Sequence, residues 1–153
     1  MYEILNTPVN YGGLELKNRV IFAPTSLGLS QEEQLERLRA IAAGGCAMII
    51  IGDVPVGKHG FGPSLYSKKG FAWYARLTRT IHEEGCLVCA QLHQSDSNVK
   101  AMLKYVPGVL TKRITMEELR PLLNQEVGPY ITRMPAQKAA AIADSFGEAA
   151  VLA

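Results

Sequence analysis

Two cysteines, Cys86 and Cys89, have the C-x-x-C spacing of thiol redox motifs and of half a zinc site. They open an apolar run, Cys86 to Leu92, that is typical of a β-strand, where positions i and i+3 point to opposite faces. A redox pair needs its first thiol at a helix N-terminus, and zinc needs two further ligands at suitable spacing. The sequence therefore predicts that both cysteines, and Cys46 likewise, are buried core residues and that the chain holds no metal.

Glycine-rich and basic segments exclude other chemistries. The loop from Gly57 to Pro63 lacks the Gly-Lys-Ser/Thr of a phosphate-binding loop, and Gly12-Gly13 opens no helix as a dinucleotide fingerprint would. Sixteen Lys and Arg against 14 Asp and Glu leave a net charge of +2, and Lys68-Lys69 is too small a basic cluster to grip nucleic acid. We expect no nucleic-acid partner and no acidic membrane partner.

Composition places the chain among ordinary globular domains. Of its 153 residues, 48% are hydrophobic and 20% charged, and no apolar run reaches the roughly 20 residues of a membrane span. The first residues lack the basic and then apolar profile of a secretory signal, and three cysteines are no disulfide framework. The sequence predicts a reduced, soluble, cytoplasmic protein.

Strand-like and helix-like segments alternate along the first 92 residues. Runs from Leu5 to Val9 and from Leu14 to Leu16 predict a hairpin that turns at glycine. Continuous apolar runs at 20–23, 47–51 and 86–92 predict strands buried on both faces. Ser30 and Glu33 have the spacing of a capping box at the start of a helix.

A second helix is predicted from Lys68 to Glu84, with a buried stripe formed by Phe71, Tyr74, Ala75, Thr78 and Ile81. After a polar loop, a capping-box spacing at Thr115 predicts a short helix to about Asn124, and Pro135 starts a last one.

Strands that alternate with helices predict an α/β fold with parallel pairing. Three buried strands make a small sheet, whereas a full (β/α)₈ TIM barrel needs about 250 residues. The chain stops within an apolar helical pattern at Val151 to Ala153. We therefore expect residues 1–153 to be the N-terminal part of a single barrel domain, a hairpin plus about three strand–helix units, incomplete as a barrel. An open three-layer sheet is the alternative.

Three segments resemble the old yellow enzyme family of FMN-dependent barrel oxidoreductases. Leu14 to Pro24 (LELKNRVIFAP) resembles the family's opening, in which Asn-Arg leads into a first strand that ends Ala-Pro. Gly44 to Gly52 resembles its second strand, and Ile81 to Gly85, followed by Ala90-Gln91-Leu92, its second helix and third strand. The resemblance covers about the first 95 residues and implies a (β/α)₈ barrel that binds FMN.

In such a barrel the carboxyl ends of the strands carry the site. The resemblance implies that Ser26 contacts a flavin carbonyl, that Gly52 lets the backbone approach the ring, and that Gln91 binds the pyrimidine edge. The implied cofactor-binding residues are Pro24, Thr25, Ser26, Gly52, Asp53 and Gln91.

The chain also departs from the family pattern. His93 stands one place earlier than the family's histidine, and Asp53 puts a carboxylate where a small residue is usual. The family's substrate-anion pair, proton donor and phosphate-binding arginine would lie beyond residue 153. The resemblance therefore implies no catalytic residue in this chain, and we expect the chain to be inactive alone.

The function implied by the resemblance is hydride transfer from NAD(P)H, through FMN, to an activated alkene or similar small-molecule acceptor. A competing interpretation is a non-catalytic half-barrel that buries its open edges by self-association, as a binding or structural module. A third is another (β/α)₈ enzyme, against which the Asn18-to-Pro24 segment and Gln91 argue.

Overall fold

The computed structural model describes residues 2–25, 27–57, 62–94 and 99–153. They form two compact units, residues 1–93 with 146–153, and residues 94–145. A 3₁₀ helix at Glu3–Asn6 comes first. The strands are β1 Val9–Tyr11, β2 Leu14–Leu16, β3 Ile21–Phe22, β4 Met48–Pro55 and β5 Leu87–His93. The helices are α1 Gln31–Ala43, α2 Lys68–Glu83, α3 Val99–Leu110, α4 Met116–Thr132 and α5 Ala136–Leu152.

The predicted hairpin forms from β1 and β2, which pair antiparallel with Val9 opposite Leu16. Gly12 and Gly13 turn the chain at φ +59° and +91°, a region that glycine occupies without steric cost. The first arm starts later than predicted. Residues 3–6 are 3₁₀ helix instead, and the Leu5 carbonyl accepts a hydrogen bond from the Arg19 amide rather than from β2.

Strands β3, β4 and β5 form a parallel sheet with β4 in the centre. Met48 pairs with Ile21 on one side and with Leu87 on the other. Helices α1 and α2 make the two crossovers between these strands. The predicted order of strand, helix and strand, and the parallel pairing, are confirmed.

Capping residues start both crossover helices. The Ser30 hydroxyl accepts from the Glu33 amide while the Glu33 carboxylate accepts from the Ser30 amide, which confirms the predicted capping box. In α2 the Ser67 hydroxyl accepts from the Gly70 amide, 3.0 Å away. These caps satisfy amides that have no partner within the helix.

The predicted buried stripe of α2 was wrong in part. Trp73, Leu77 and Ile81, spaced four residues apart, face the core, whereas Phe71 is 48% exposed. Four-residue spacing keeps side chains on one helical face, and this face meets the sheet. The prediction was right for Ile81 and for Tyr74, which packs partly buried against the core, but wrong for Phe71.

The hydrophobic core lies between the two helices and one face of the sheet. Ile49, Ile51 and Val54 of β4 pack there with Leu38 of α1 and Leu77 of α2. The other sheet face does not meet the expectation of burial, because alternate residues of the strands point away from the helices. Ile21, Cys89 and Gln91 are exposed on it.

Residues 94–145 were expected to begin with a polar loop, but 99–110 form helix α3. Pro107 and Gly108 lie in its last turn, so they end the helix rather than prevent it. The Thr115 capping box starts α4 as predicted. Helix α4 continues beyond the predicted end at Asn124 to Thr132.

Candidate functional site

Four of the predicted cofactor contacts meet near the carboxyl ends of β3, β4 and β5. A methyl group in place of a hydrogen on the Gly52 Cα would stand 3.3 Å from Pro24 Cβ, 3.6 Å from Gln91 Oε1 and 3.7 Å from the Thr25 amide nitrogen. Glycine at position 52 therefore keeps a narrow gap open between neighbouring strand ends. Ser26, the sixth predicted contact, lies outside the described residues.

A β-bulge interrupts β4 at this gap. Ile51 pairs with Ala90 and Val54 pairs with Leu92, so Gly52 and Asp53 together stand opposite Gln91. Asp53 has φ +57°, a left-handed conformation in which residues other than Gly, Asn and Asp are rare. Bulges redirect side chains, and they are frequent next to functional sites.

The Asp53 carboxylate is one charged group of this region. Its Oδ1 lies 4.0 Å from Nδ1 of His93, and both side chains are exposed. Burial raises the pKa of the neighbouring Tyr74 hydroxyl, and the negative charge of Asp53 raises it further. The Tyr74 hydroxyl donates to the Pro63 carbonyl at 3.3 Å.

The sequence favoured His93 as a loop residue or as a neighbour of the cofactor, rather than as a catalyst, and the structure makes it the last residue of β5. It pairs with Pro55, and its carbonyl accepts from the Val56 amide at 3.0 Å. The available signal was the alternation Gln91-Leu92-His93, in which Leu92 joins the core and the flanking residues share the opposite face. Sequence reasoning therefore missed the Asp53–His93 contact.

A cleft of about 290 Å³ lies on the helix side of the same strand ends. Its walls include Gln34, Trp73 and Tyr74, and it reaches Thr25 and Gly52. Gln91 is not among its lining residues, so the predicted amide contact lies outside the cleft.

The opposite, amino end of the sheet holds two cysteines. The sulfur atoms of Cys46 and Cys86 lie 3.5 Å apart, and both residues are buried as predicted. Burial, followed by the Cys46 contact, raises the pKa of the Cys86 thiol to about 12. Such a thiol is protonated at neutral pH and unreactive.

Cys89 was predicted to be buried, and this was wrong. It is exposed, because it lies on the sheet face opposite to that of Val88 and Ala90. Within the described residues, no group of three or more His, Cys, Asp or Glu side chains could hold a metal ion. No helix in that part of the chain is both long and apolar enough to cross a membrane.

The Asn18-Arg19 pair, which carries much of the family resemblance, has a structural role. Asn18 Nδ2 donates to the Gly45 carbonyl at 2.6 Å, and its Oδ1 accepts from the Val20 amide at 3.0 Å. Arg19 Nε donates to the Thr7 hydroxyl at 3.2 Å. The pair joins the hairpin to the start of the sheet, at the end away from the candidate site.

No family model matches the chain, but its sequence is similar to those of known proteins. It is 59% identical, over its whole length, to 41% of a bilirubin reductase from Clostridium symbiosum (strain WAL-14163). It is 26% identical over 92% of its length to 22% of a bilirubin reductase from Mediterraneibacter gnavus (strain CC55_001C). The chain thus spans less than half the length of these relatives.

Solved structures show the fold. Old yellow enzyme from Pichia sp. AKU4542 superposes on 68% of this chain with a TM-score of 0.54 and 21% identity, using 30% of its own length. The chain therefore has the α/β fold of part of an old yellow enzyme. Its sequence relatives carry the name of a reductase, which fits that class.

Proposed function

We propose that this chain forms one wall of the FMN site of an old yellow enzyme-type oxidoreductase, as the first portion of a single barrel domain. The observation that carries the proposal is the convergence of Thr25, Gly52 and Gln91 at the carboxyl ends of three parallel strands. In a barrel this end carries the site. NAD(P)H would be the hydride donor. The location that we propose for the protein is the cytoplasm.

The residues at this end fit the edge of an isoalloxazine ring. The Gln91 carboxamide offers a donor and an acceptor, and the exposed side chain is available to a ligand. Gly52 has no side chain, so a flat ring can approach the main chain there. The Thr25 amide nitrogen and the side chain of Pro24 lie beside this gap.

When bound, FMN supplies hydride transfer, and the protein contributes binding, orientation and electrostatics. Gln91 would orient the ring by pairing with its N–H and carbonyl groups. Gly52 and its neighbours would exclude water from one side. The resemblance matches no substrate-anion or proton-donor residue within residues 1–153, so we expect no turnover by these residues alone.

Bilirubin is the acceptor to test first. The relative that is 59% identical to the chain is named a bilirubin reductase, and bilirubin contains conjugated carbon–carbon double bonds. A conjugated alkene is also the acceptor class that the family resemblance implies.

Titration of FMN into the purified chain, followed by quenching of flavin fluorescence, tests the proposal. We expect saturable binding that weakens about tenfold in Gln91→Ala, since two hydrogen bonds of roughly 0.7 kcal/mol each are lost. Gln137→Ala, at an exposed glutamine of α5, is the matched control and should bind as the native chain does. No saturable binding, or equal binding by all three chains, would contradict an FMN site here.

The exposed sheet face favours a second candidate, a self-associating half-barrel. Ile21 is 45% exposed there, beside the half-buried Met48 and Ile50. Two copies could bury these faces against each other. Sedimentation of the native chain and of Ile50→Glu tests this: a dimer that the substitution dissociates supports it, and a monomeric native chain contradicts it.

A further inference from the structure

We propose that Asp53 is a positioning residue for His93, holding its imidazole by Nδ1 so that Nε2 becomes a hydrogen-bond acceptor at the rim of the candidate site. The partner of Nε2 would be an N–H or O–H donor on the bound ligand. Only the identity of that ligand rests on the proposed function. The position and tautomer of His93 depend on this chain alone.

The β-bulge brings the two side chains together. One extra residue in β4 puts Gly52 and Asp53 opposite Gln91, and pairing then resumes with Leu92 opposite Val54 and His93 opposite Pro55. In a regular strand Asp53 would share the face of Ile51, which packs in the core. The extra residue and the φ of +57° instead leave its carboxylate exposed and 4.0 Å from the imidazole.

Carboxylate contact selects one form of a neutral histidine. A carboxylate can only accept, so it favours the tautomer with hydrogen on Nδ1 and leaves a lone pair on Nε2. The 4.0 Å separation is longer than a hydrogen bond, so the carboxylate acts on the imidazole through its negative charge.

Among the described residues, the neighbouring Tyr74 does not compete for the carboxylate. Tyr74 feels the charge of Asp53, yet its hydroxyl donates to the Pro63 carbonyl. Gln91 lies on the same strand face as His93, two residues away. His93 would therefore add an acceptor next to the amide of Gln91, and the site would prefer ligands with a donor group at that point.

Nitrogen-15 NMR of the imidazoles at pH 8 tests the position directly and needs no flavin. We expect the ratio of Nδ1–H to Nε2–H tautomers in His93 to exceed that of the exposed His82 by about threefold, which corresponds to roughly 0.65 kcal/mol. Asp53→Gly should reduce it to the ratio of His82. Asp53→Asn, which keeps a neutral acceptor, should give an intermediate ratio.

Both substitutions suit the backbone, because Gly and Asn tolerate positive φ. Circular dichroism should show native secondary structure for both. A His93 ratio equal to that of His82 in the native chain, or one unchanged in Asp53→Gly, would overturn the proposal.

Bilirubin, whose pyrrole and lactam N–H groups are donors, is the probe for the ligand. Glutamine can put an acceptor near the position of Nε2, whereas asparagine can put one only near Nδ1. We expect His93→Gln to bind bilirubin within about twofold of the native chain and His93→Asn about fivefold more weakly, one hydrogen bond.

Equal affinities, or no binding by the native chain, would overturn the assigned ligand donor. The tautomer ratio decides the role of Asp53 in either case. Failure of FMN to bind to the native chain would count against the proposed function without changing that tautomer ratio.

Discussion

The two ends of the parallel sheet are built differently. At the amino end, the Leu87 amide donates to the Ala47 carbonyl, the Ala47 amide donates to the Val20 carbonyl, and Cys46 and Cys86 are buried. At the carboxyl end, pairing is broken by a bulge, and Asp53 and Gln91 are exposed. The same three strands form both ends, so the difference arises from the residues that each strand has at its two ends.

The contrast indicates a division of labour within one sheet. Regular pairing and apolar packing at the amino end contribute stability, whereas irregular backbone and polar side chains at the carboxyl end contribute little to it. A site is expected where polar groups are left without partners in the fold. Substitutions at the two ends should therefore differ in what they change.

The largest difference is expected between the core and the site. Ile49 is fully buried beside α1 and α2, so Ile49→Ala should lower the free energy of unfolding by about 3–4 kcal/mol through lost burial and the cavity left behind. Gln91→Ala removes an exposed side chain and should change it by about 0.5 kcal/mol or less. Urea unfolding measures both. Comparable losses would show that the carboxyl end is also part of the stabilising framework.

Alkaline pH should act on the amino end through Cys86. Its pKa is raised to about 12 in the folded chain from an ordinary 9.0, so the thiol keeps its proton longer in the folded state than in the unfolded state. Stability is then complete below pH 9 and falls as pH rises from 9 toward 12, by up to about 1.4 kcal/mol per pH unit. Urea unfolding across this range should show a shallower decline in Cys86→Ala. The exposed Cys89→Ala is the control and should decline as the native chain does.

The sequence predicted best those features that depend on interactions between residues close together along the chain. The capping boxes at Ser30 and Thr115 and the alternation of strands and helices are local patterns, and the structure has them. The meeting of Gly52 with Thr25 and Gln91 followed from the rule that parallel strands end together.

Other features depend on pairing between distant segments. The bulge at Asp53 exists only in the register between β4 and β5, and nothing in either strand alone announces the extra residue. Cys89 was placed in the core because its run is apolar throughout, which says nothing of which face is covered. Helix α3 was missed because the segment after β5 was interpreted as a polar loop, whereas residues 99–110 are helical.

Asn18 offers a smaller test of the amino end. Its side chain makes hydrogen bonds to Gly45 and Val20, so Asn18→Ala should cost about 1–2 kcal/mol of stability. Asn6→Ala, at an exposed asparagine of the 3₁₀ helix, should cost less than about 0.5 kcal/mol. Thermal unfolding of both variants measures the difference. An Asn18→Ala variant as stable as Asn6→Ala would mean that the resemblance motif does not act through the fold.

Substitutions at the bulge should have the smallest effect on stability, and whether they raise or lower it is informative. Asp53 and Lys112 both have φ +57°, one at the site and one in the turn after α3. Glycine relieves the steric cost of positive φ but loses more entropy on folding, so Lys112→Gly should raise stability by no more than about 1 kcal/mol. Asp53→Gly should have the same small effect on stability as Lys112→Gly, because the exposed contact of Asp53 with His93 contributes little. Asp53→Ala should lower stability by about 1 kcal/mol, because alanine does not tolerate positive φ. Urea unfolding of the three variants compares them. If Asp53→Gly is destabilising while Lys112→Gly is not, the carboxylate itself stabilises the carboxyl end, and the division between the two ends of the sheet is less complete than their packing indicates.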